Sequence, residues 1–434
     1  MQNLINPFDK LRVNGEQSRT INLDFNPKEP TVMHLDLNSC FATIEQQANS
    51  HLRGKPVAVA AYVSPNGCIL APSVEAKRFG VKTGMRVKDG KVLCPELIVL
   101  PSDPDKYRNV HVKFKKLLKN YTDNVMPKSI DEFVLDLEGF PAISRGITNV
   151  AQQIKDRIKK EIGDWLTISV GIAPNRYLAK IGAGLHKPDG LDVVDTATYR
   201  GIYKNLNLTD LCGIKKGNSS RLKSMRIETV EDFYNAPVWK LKAAFHSITG
   251  YYWYMRLRGF EIDDVEYTRR SYRNSYALPR PFSTPRDLAP VLQKLCEKAG
   301  ARMRRAGYMA RGVHLSIVSR DWTTWHHGQT LNRLIFDSRD IFKVAFSILL
   351  SCPDIRPVRN LAVSCFNIEK PTSIQTSFWE DYDKKRRLVR AVDKVNTRWG
   401  NFVITPARMV GTGGVVHDRI AFGGVKELEE IITN

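Results

Sequence analysis

A chain of 434 residues, 42% of them apolar, is long enough for several domains with real cores at ~100–200 residues each. Its 66 lysines and arginines against 45 acids leave a charge of +21, so a polyanion is the first partner to consider, although ribosomal and membrane-surface proteins are also basic. Seven scattered cysteines without a CxxC pair argue against a disulfide framework, and the lack of an 18-residue apolar run or an apolar leader argues against a membrane or secreted protein.

Residues 1–30 are polar and irregular and read as a loose extension. Val32-Met33-His34-Leu35-Asp36-Leu37-Asn38 is an apolar run that closes on a lone carboxylate, the pattern of a strand. Phe41 to Ala48 has helical spacing. Residues 55–62 read as a strand, Ser64-Pro65-Asn66-Gly67 as a turn, and residues 68–71 as a short strand. A helix is expected from Ser73, its N-cap, to Phe79, stopped by Gly80.

Helical periodicity returns through Val110, Phe114, Leu117 and Leu118 and leads to Asp131-Glu132, which stand ahead of the strand pattern Phe133-Val134-Leu135. Aspartate and glutamate are poor strand formers, costly to bury unless paired or bound to a cation. Two apolar strands that each carry an acid at the end predict one site at a sheet edge for a hard divalent cation, which favours one or two carboxylates plus substrate phosphates. Equally, Asp131 and Glu132 can cap a hairpin while Asp36 sits in an ordinary loop. Neighbours along a regular strand face opposite ways, so Asp131 and Glu132 can share a site only at a strand end or bend.

Val150, Ile154, Ile158 and Ile162 recur every four residues and mark an amphipathic helix. Residues 167–173 form a strand pattern, and a short helix from Arg176 carries Lys180 and closes at Lys187-Pro188-Asp189-Gly190. This order resembles a ferredoxin-like α+β sheet, helices on one face and the other left for substrate. Residues 190–262 are mostly helical, with a tight turn that presents Gly213, Lys215 and Lys216. Between 266 and 320, twelve basic residues meet three acids in a strand-and-helix module. That fits a clamp on a phosphate backbone, with a merely solvated basic face as the plainer reading. From about 370 the chain reads as a tail, with Phe378 and Trp379 in a polar segment, a basic run at Lys384 to Arg387, a helix-like stretch from Leu388 to Val395, and a glycine-rich end.

Together these stretches resemble the Y-family, or translesion, DNA polymerases over roughly residues 31–370, and within it the UmuC-like bacterial branch. Five ordered segments carry the resemblance: His34 to Ala42, Gly54 to Val59, Glu75 to Met85, Ser129-Ile130-Asp131-Glu132, and Gly171 to Lys180. It implies an α+β right-hand polymerase. The ferredoxin-like palm spans 31–39 and 103–187, small fingers 40–102, and a helix-hairpin-helix-like thumb 188–262. An α/β little finger spans 270–370, with an extension at 1–30 and a tail at 371–434.

The implied activity is template-directed, error-prone addition of deoxynucleotides to a primer across damaged template. Asp36, Asp131 and Glu132 would be the catalytic acids, holding two magnesium ions (manganese can substitute) with the Leu37 carbonyl. The amides of Leu37, Asn38, Ser39, Cys40 and Phe41, with Lys77 and Lys180, would cradle the triphosphate, and Phe41 would be the steric gate. Gly213, Lys215, Lys216, Arg273, Arg280, Arg302, Arg304, Arg305 and Arg311 would touch DNA. Gln375, Phe378 and Trp379 would anchor a sliding clamp.

Primer-template DNA and deoxynucleoside triphosphates are the expected partners, accessory subunits are left open, and a cytoplasmic protein without a membrane partner is expected. Departures from the family are Val74 where many members have tyrosine, Lys77 where many have arginine, and a thumb turn lacking its second glycine. A nucleotide cyclase or other palm-type nucleotidyltransferase, and a non-catalytic DNA-binding scaffold derived from a polymerase, are the alternatives.

Overall fold

Strand β1 (Val32–Leu37) occupies the middle of the first sheet, and its alternation organises that half of the protein. The computed structural model describes residues 23–265, 269–370 and 382–416, so the expected clamp peptide at Gln375, Phe378 and Trp379 lies outside the described residues. The chain divides into two units, one reaching Val265 and the other beginning at Glu266.

In the first unit, β1 is followed by α1 (Cys40–Ala48), β2 (Val57–Ala60), β3 (Ile69–Pro72), α2 (Val74–Arg78), α3 (Val87–Leu93) and β4 (Ile98–Pro101). Next come α4 (Pro104–Leu118), β5 (Val125–Pro127), β6 (Glu132–Asp136), α5 (Ile147–Glu161), β7 (Ile168–Ala173), α6 (Arg176–Leu185) and β8 (Leu191–Val193). The main sheet has the order β5-β6-β1-β7-β8, with β1 antiparallel to both neighbours. Met33, Leu35 and Leu37 point to one face, where they meet Phe114, Leu118, Ile154 and Ile158 of α4 and α5. Burying each such side chain contributes roughly 1.5–3 kcal/mol.

The period of two then leaves His34 and Asp36 on the opposite face, beside Glu132 and Val134 of β6 and Ser169 and Gly171 of β7. That second face is not left bare as expected. Helix α6 lies on it, and a Cβ built on Gly171 would sit 2.0 Å from the Ala179 carbonyl oxygen and 2.1 Å from the Ala183 nitrogen. Only a glycine admits that approach.

β2, β3 and β4 make a second, three-stranded sheet, with Ser73 capping α2 by accepting from the Ala76 amide at 3.2 Å. Helix α1 buries Cys40, Phe41, Ala42 and Ile44 in a core that the main sheet shares with Val59 of β2 and Ala71 of β3. Helices α7 (Tyr199–Asn205), α8 (Lys216–Ser224), α9 (Val230–Asn235), α10 (Val238–Phe245) and α11 (Thr249–Leu257) complete this unit around Leu211, Ile214, Phe233 and Trp253.

The second unit runs β9 (Ser271–Phe282), α12 (Pro285–Arg305), β10 (Met309–Ser319), β11 (Thr324–Ile335), α13 (Ser338–Leu350) and β12 (Val358–Glu369). Its antiparallel sheet has the order β11-β10-β12-β9. Tyr272, Val313, Leu315 and Val363 are buried, as are Leu292 and Leu295 of α12 and Phe342 of α13. Arg273, Ser364 and His314 share the other face in register.

The expected tail is partly a folded element. Helix α14 (Tyr382–Trp399) packs through Val389 against Met309 and Phe336, and Arg304 clasps Asp393 at 2.7 and 2.8 Å. The helix-like stretch from Leu388 to Val395 is legible in the sequence, but its packing is not, because its partner charges lie far along the chain. Among the described residues no helix is long and apolar enough to cross a membrane.

Candidate active site

Two of the three expected acids face each other across the sheet. Asp36 on β1 pairs in register with Glu132, the first residue of β6, so both carboxylates leave the same face at the same level. Asp131 lies in the bend just before that strand, tied to β1 by the Leu37 amide, which donates to its carbonyl oxygen at 2.9 Å. The geometric condition set by the strand period is therefore met: the adjacent acids sit where the strand begins, not within it.

All three carboxyls are largely enclosed, and their charges are felt mutually. Burial raises the pKa of Asp36, offset in part by Lys187, whose Nζ donates to Oδ2 at 2.6 Å. Burial also raises Asp131, and the charges of Asp36 and Glu132 push it further, while the Ser129 hydroxyl donates to Oδ1 and opposes the rise. For Glu132 burial again pushes up, but the positive charge of His34, carried only when the ring is protonated, and that of Lys180 more than offset it and hold the carboxyl below its ordinary range. The Lys180 Nζ donates to both Glu132 oxygens, at 2.8 and 2.6 Å.

His34, Asp36 and Glu132 each offer a ligand atom within 4.8 Å of the others, a set able to hold a metal ion. Asp131 is outside that triad, though its charge is coupled to both acids. Burial lowers the His34 pKa to about 3, so the ring is neutral near pH 7. Repelling carboxylates held in a low-dielectric pocket, each with only a lysine or hydroxyl to offset it, fit a divalent cation well.

The expected triphosphate cradle is narrower than the sequence implied. The Leu37 amide is spent on the Asp131 carbonyl and the Asn38 amide on the Thr167 carbonyl, each at 2.9 Å, and the Asn38 side chain is taken up by Ser169 and Asp189, so neither amide is left for a phosphate. What remains is the start of α1. Ser39, in the left-handed region at φ 51°, caps no amide, and its buried hydroxyl has no partner. Cys40 is buried behind it, its thiol pKa raised by burial and by the charges of Asp131 and Asp36. Phe41 is wholly buried, its ring stacked on Tyr107 with centroids 4.4 Å apart.

Lys77 is exposed on α2, and its pKa is lowered by burial and by repulsion from Lys187. Lys77, Lys180 and Lys187 thus form one cationic group above the acids. Lys187 and His34 were not singled out from sequence. Lys187 lies past the last residue of α6, so helical spacing gives no signal for it; for His34 the signal was the shared parity with Asp36.

The expected DNA contacts divide. Gly213, at φ 96°, and Lys215 and Lys216 lie exposed in a turn pinned by the buried Leu211 and Ile214. Arg273, Arg280 and Arg305 are exposed on the second unit. Arg304 is not a free phosphate contact: it is half-buried and committed to Asp393, the Phe336 carbonyl and Ser338. Arg302 donates to the Arg273 carbonyl and to Asn274, which joins α12 to β9, and Arg311 pairs with Glu369 at 2.8 Å. A count of basic residues cannot tell a solvated guanidinium from a paired one.

The sequence matches the impB/mucB/samB family over residues 35–184 and that family's C-terminal domain over residues 269–378. A relative from Pelotomaculum thermopropionicum named DNA polymerase IV is 31% identical over 394 residues, which covers 89% of this chain and 97% of that protein. DNA polymerase IV 1 of Bacillus subtilis is 33% identical over 387 residues, 87% of this chain and 92% of its own. Among solved structures, a Y-family DNA polymerase chimera of Dbh and Dpo4 segments superposes with a TM-score of 0.69 at 25% identity, covering 78% of this chain and 98% of that one.

Proposed function

This chain belongs to the impB/mucB/samB family, the Y-family translesion DNA polymerases, and from that premise we propose that Asp36, Asp131 and Glu132 are its catalytic acids. It is a DNA-directed DNA polymerase. The reaction adds a deoxynucleotide to a primer 3′ end against a template and releases pyrophosphate.

The observation that carries the site reading is the resting arrangement of charge. Two carboxylates in cross-strand register are each held by a lysine from one segment, α6 and the turn after it. Magnesium is the expected cation, and Asp36, Asp131 and Glu132 are the side chains that would hold it. When bound, such ions lower the pKa of the attacking hydroxyl and stabilise the entering and leaving oxygens. The residues of this chain supply the rest. Lys180, Lys187 and Lys77 bind the triphosphate of the incoming nucleotide and neutralise its charge, as positioned cations do in phosphoryl transfer. Ser39 and the first turn of α1 bind its phosphate oxygens. Phe41, beneath that turn, limits the space available to the sugar.

The exposed turn at Gly213 to Lys216 and the exposed arginines Arg273, Arg280 and Arg305 bind backbone phosphates of the primer-template duplex. Asp131→Asn tests the centre directly, since it keeps the side-chain volume and an oxygen that accepts from Ser129. Primer extension is expected to fall by about 10²–10³-fold, with duplex binding within a few-fold of wild type. Extension at the wild-type rate would remove Asp131 from the machinery.

A further inference from the structure

His34 breaks the rule that buried polar atoms find partners. It is 2% exposed, yet neither Nδ1 nor Nε2 has a hydrogen bond. Leaving such a group unsatisfied in the interior is destabilising. An apolar residue would suit this position better on packing grounds alone, because the paired residues on either side are Val134 and Gly171, under α6.

The ring is also placed with respect to the acids. His34 and Asp36 leave β1 on one face, and Glu132 stands opposite Asp36, hence diagonal to His34. The separation from His34 Nε2 to Glu132 Oε2 is 3.8 Å, too long for a hydrogen bond. Glu132 has both oxygens on Lys180 in this state. A carboxylate shift of about 1 Å would bring Oε2 within range of the ring.

We propose that His34 is a positioning residue for Glu132. When Lys180 turns to a nucleotide phosphate, Nε2–H of His34 donates to the released carboxylate. That bond keeps Glu132 directed at the cation site rather than following the lysine. This rests on the reading of Glu132 as a cation ligand. A phenylalanine would fill the same space but give Glu132 nothing. Glutamine would restore the donor, since its Nε2 is three bonds from Cβ, as it is in histidine.

The test uses the full-length chain with His34→Phe and His34→Gln. Three quantities are read: the melting temperature without cation, its rise on adding Mn²⁺, and the Mg²⁺ concentration for half-maximal primer extension. His34→Phe is expected to melt at or above wild type without cation, because two orphaned nitrogens are removed. Its Mn²⁺-induced rise should shrink and its half-saturating Mg²⁺ should increase on the order of tenfold. His34→Gln should recover most of both responses.

A His34→Phe protein with the wild-type cation response overturns the proposal. So does an equal loss in both variants with lowered melting temperature, which would make His34 purely structural. A selective loss of Mn²⁺ binding with the Mg²⁺ response intact overturns it as well, since the ring would then be a direct ligand. If wild-type protein shows no cation-dependent extension, the polymerase-site reading fails instead, and that outcome is seen before either variant is measured.

Discussion

Gly171→Ala is a one-carbon change that should reach the active site through the backbone. The added Cβ would stand 2.0 Å from the Ala179 carbonyl oxygen and 2.1 Å from the Ala183 nitrogen, both main-chain atoms of α6 that cannot rotate aside. To regain ordinary contact at 3.4 Å, helix and strand must part by roughly 1.4 Å. Overpacking of that kind costs about 1–3 kcal/mol. The same displacement carries Lys180, and with it Lys187, away from Glu132 and Asp36, and a misplacement of about 1 Å at a reacting site can reduce rate by ~10²-fold.

Gly184→Ala on the same helix is the control, because its Cβ would meet nothing within 4 Å. That change should stabilise by about 0.4–1 kcal/mol and leave extension unaltered. The assays are denaturant unfolding and steady-state primer extension on one template. A Gly171→Ala protein as stable and as active as wild type would show that α6 does not rest on β7 at backbone distance.

Other perturbations probe other parts of the molecule. Because Phe41 is wholly buried, truncation to alanine would cost about 3–5 kcal/mol, so Phe41→Leu is the cleaner test of sugar selection. Ribonucleotide incorporation should rise relative to deoxynucleotide, and an unchanged ratio would leave Phe41 a core residue only. Arg304→Ala should lower stability by about 1–3 kcal/mol yet leave the salt dependence of DNA binding unchanged; a slope reduced by about one unit would restore it as a phosphate contact.

Glu297 on α12 has its pKa raised by burial, which Ser338, Arg304 and Gln293 only partly offset. A folded value above the unfolded one means stability is lost as pH rises through it. Glu297→Gln should therefore melt like wild type at pH 4 and higher than wild type at pH 8, and the same difference at both would refute the assignment.

Much of this site was legible because strand parity is local information. Asp36 and Glu132 could be placed on one face from the alternation of Met33, Leu35 and Leu37 and of Phe133 and Leu135. Lys187 could not, since its bond to Asp36 depends on where α6 rests, and that depends on a glycine in another strand. For the same reason Arg304 was misread as a phosphate contact: its partner Asp393 lies 89 residues further on. The amides of Leu37 and Asn38 looked available because nothing local reveals that Asp131 and Thr167 accept from them. Matches over both 35–184 and 269–378 leave no room for a cyclase, which lacks any need for the second segment.

The lysines on Asp36 and Glu132 are covalently tethered competitors for any soluble cation. Tethering gives such a group an effective concentration in the millimolar range, so the bare protein should bind free metal weakly. On the proposed reading a triphosphate would offer the ammonium groups another anion and so raise the metal affinity of the acids. By reciprocity the metal raises nucleotide affinity by the same factor. On that reading neither ligand would be strongly retained alone, and the site would assemble only when both arrive.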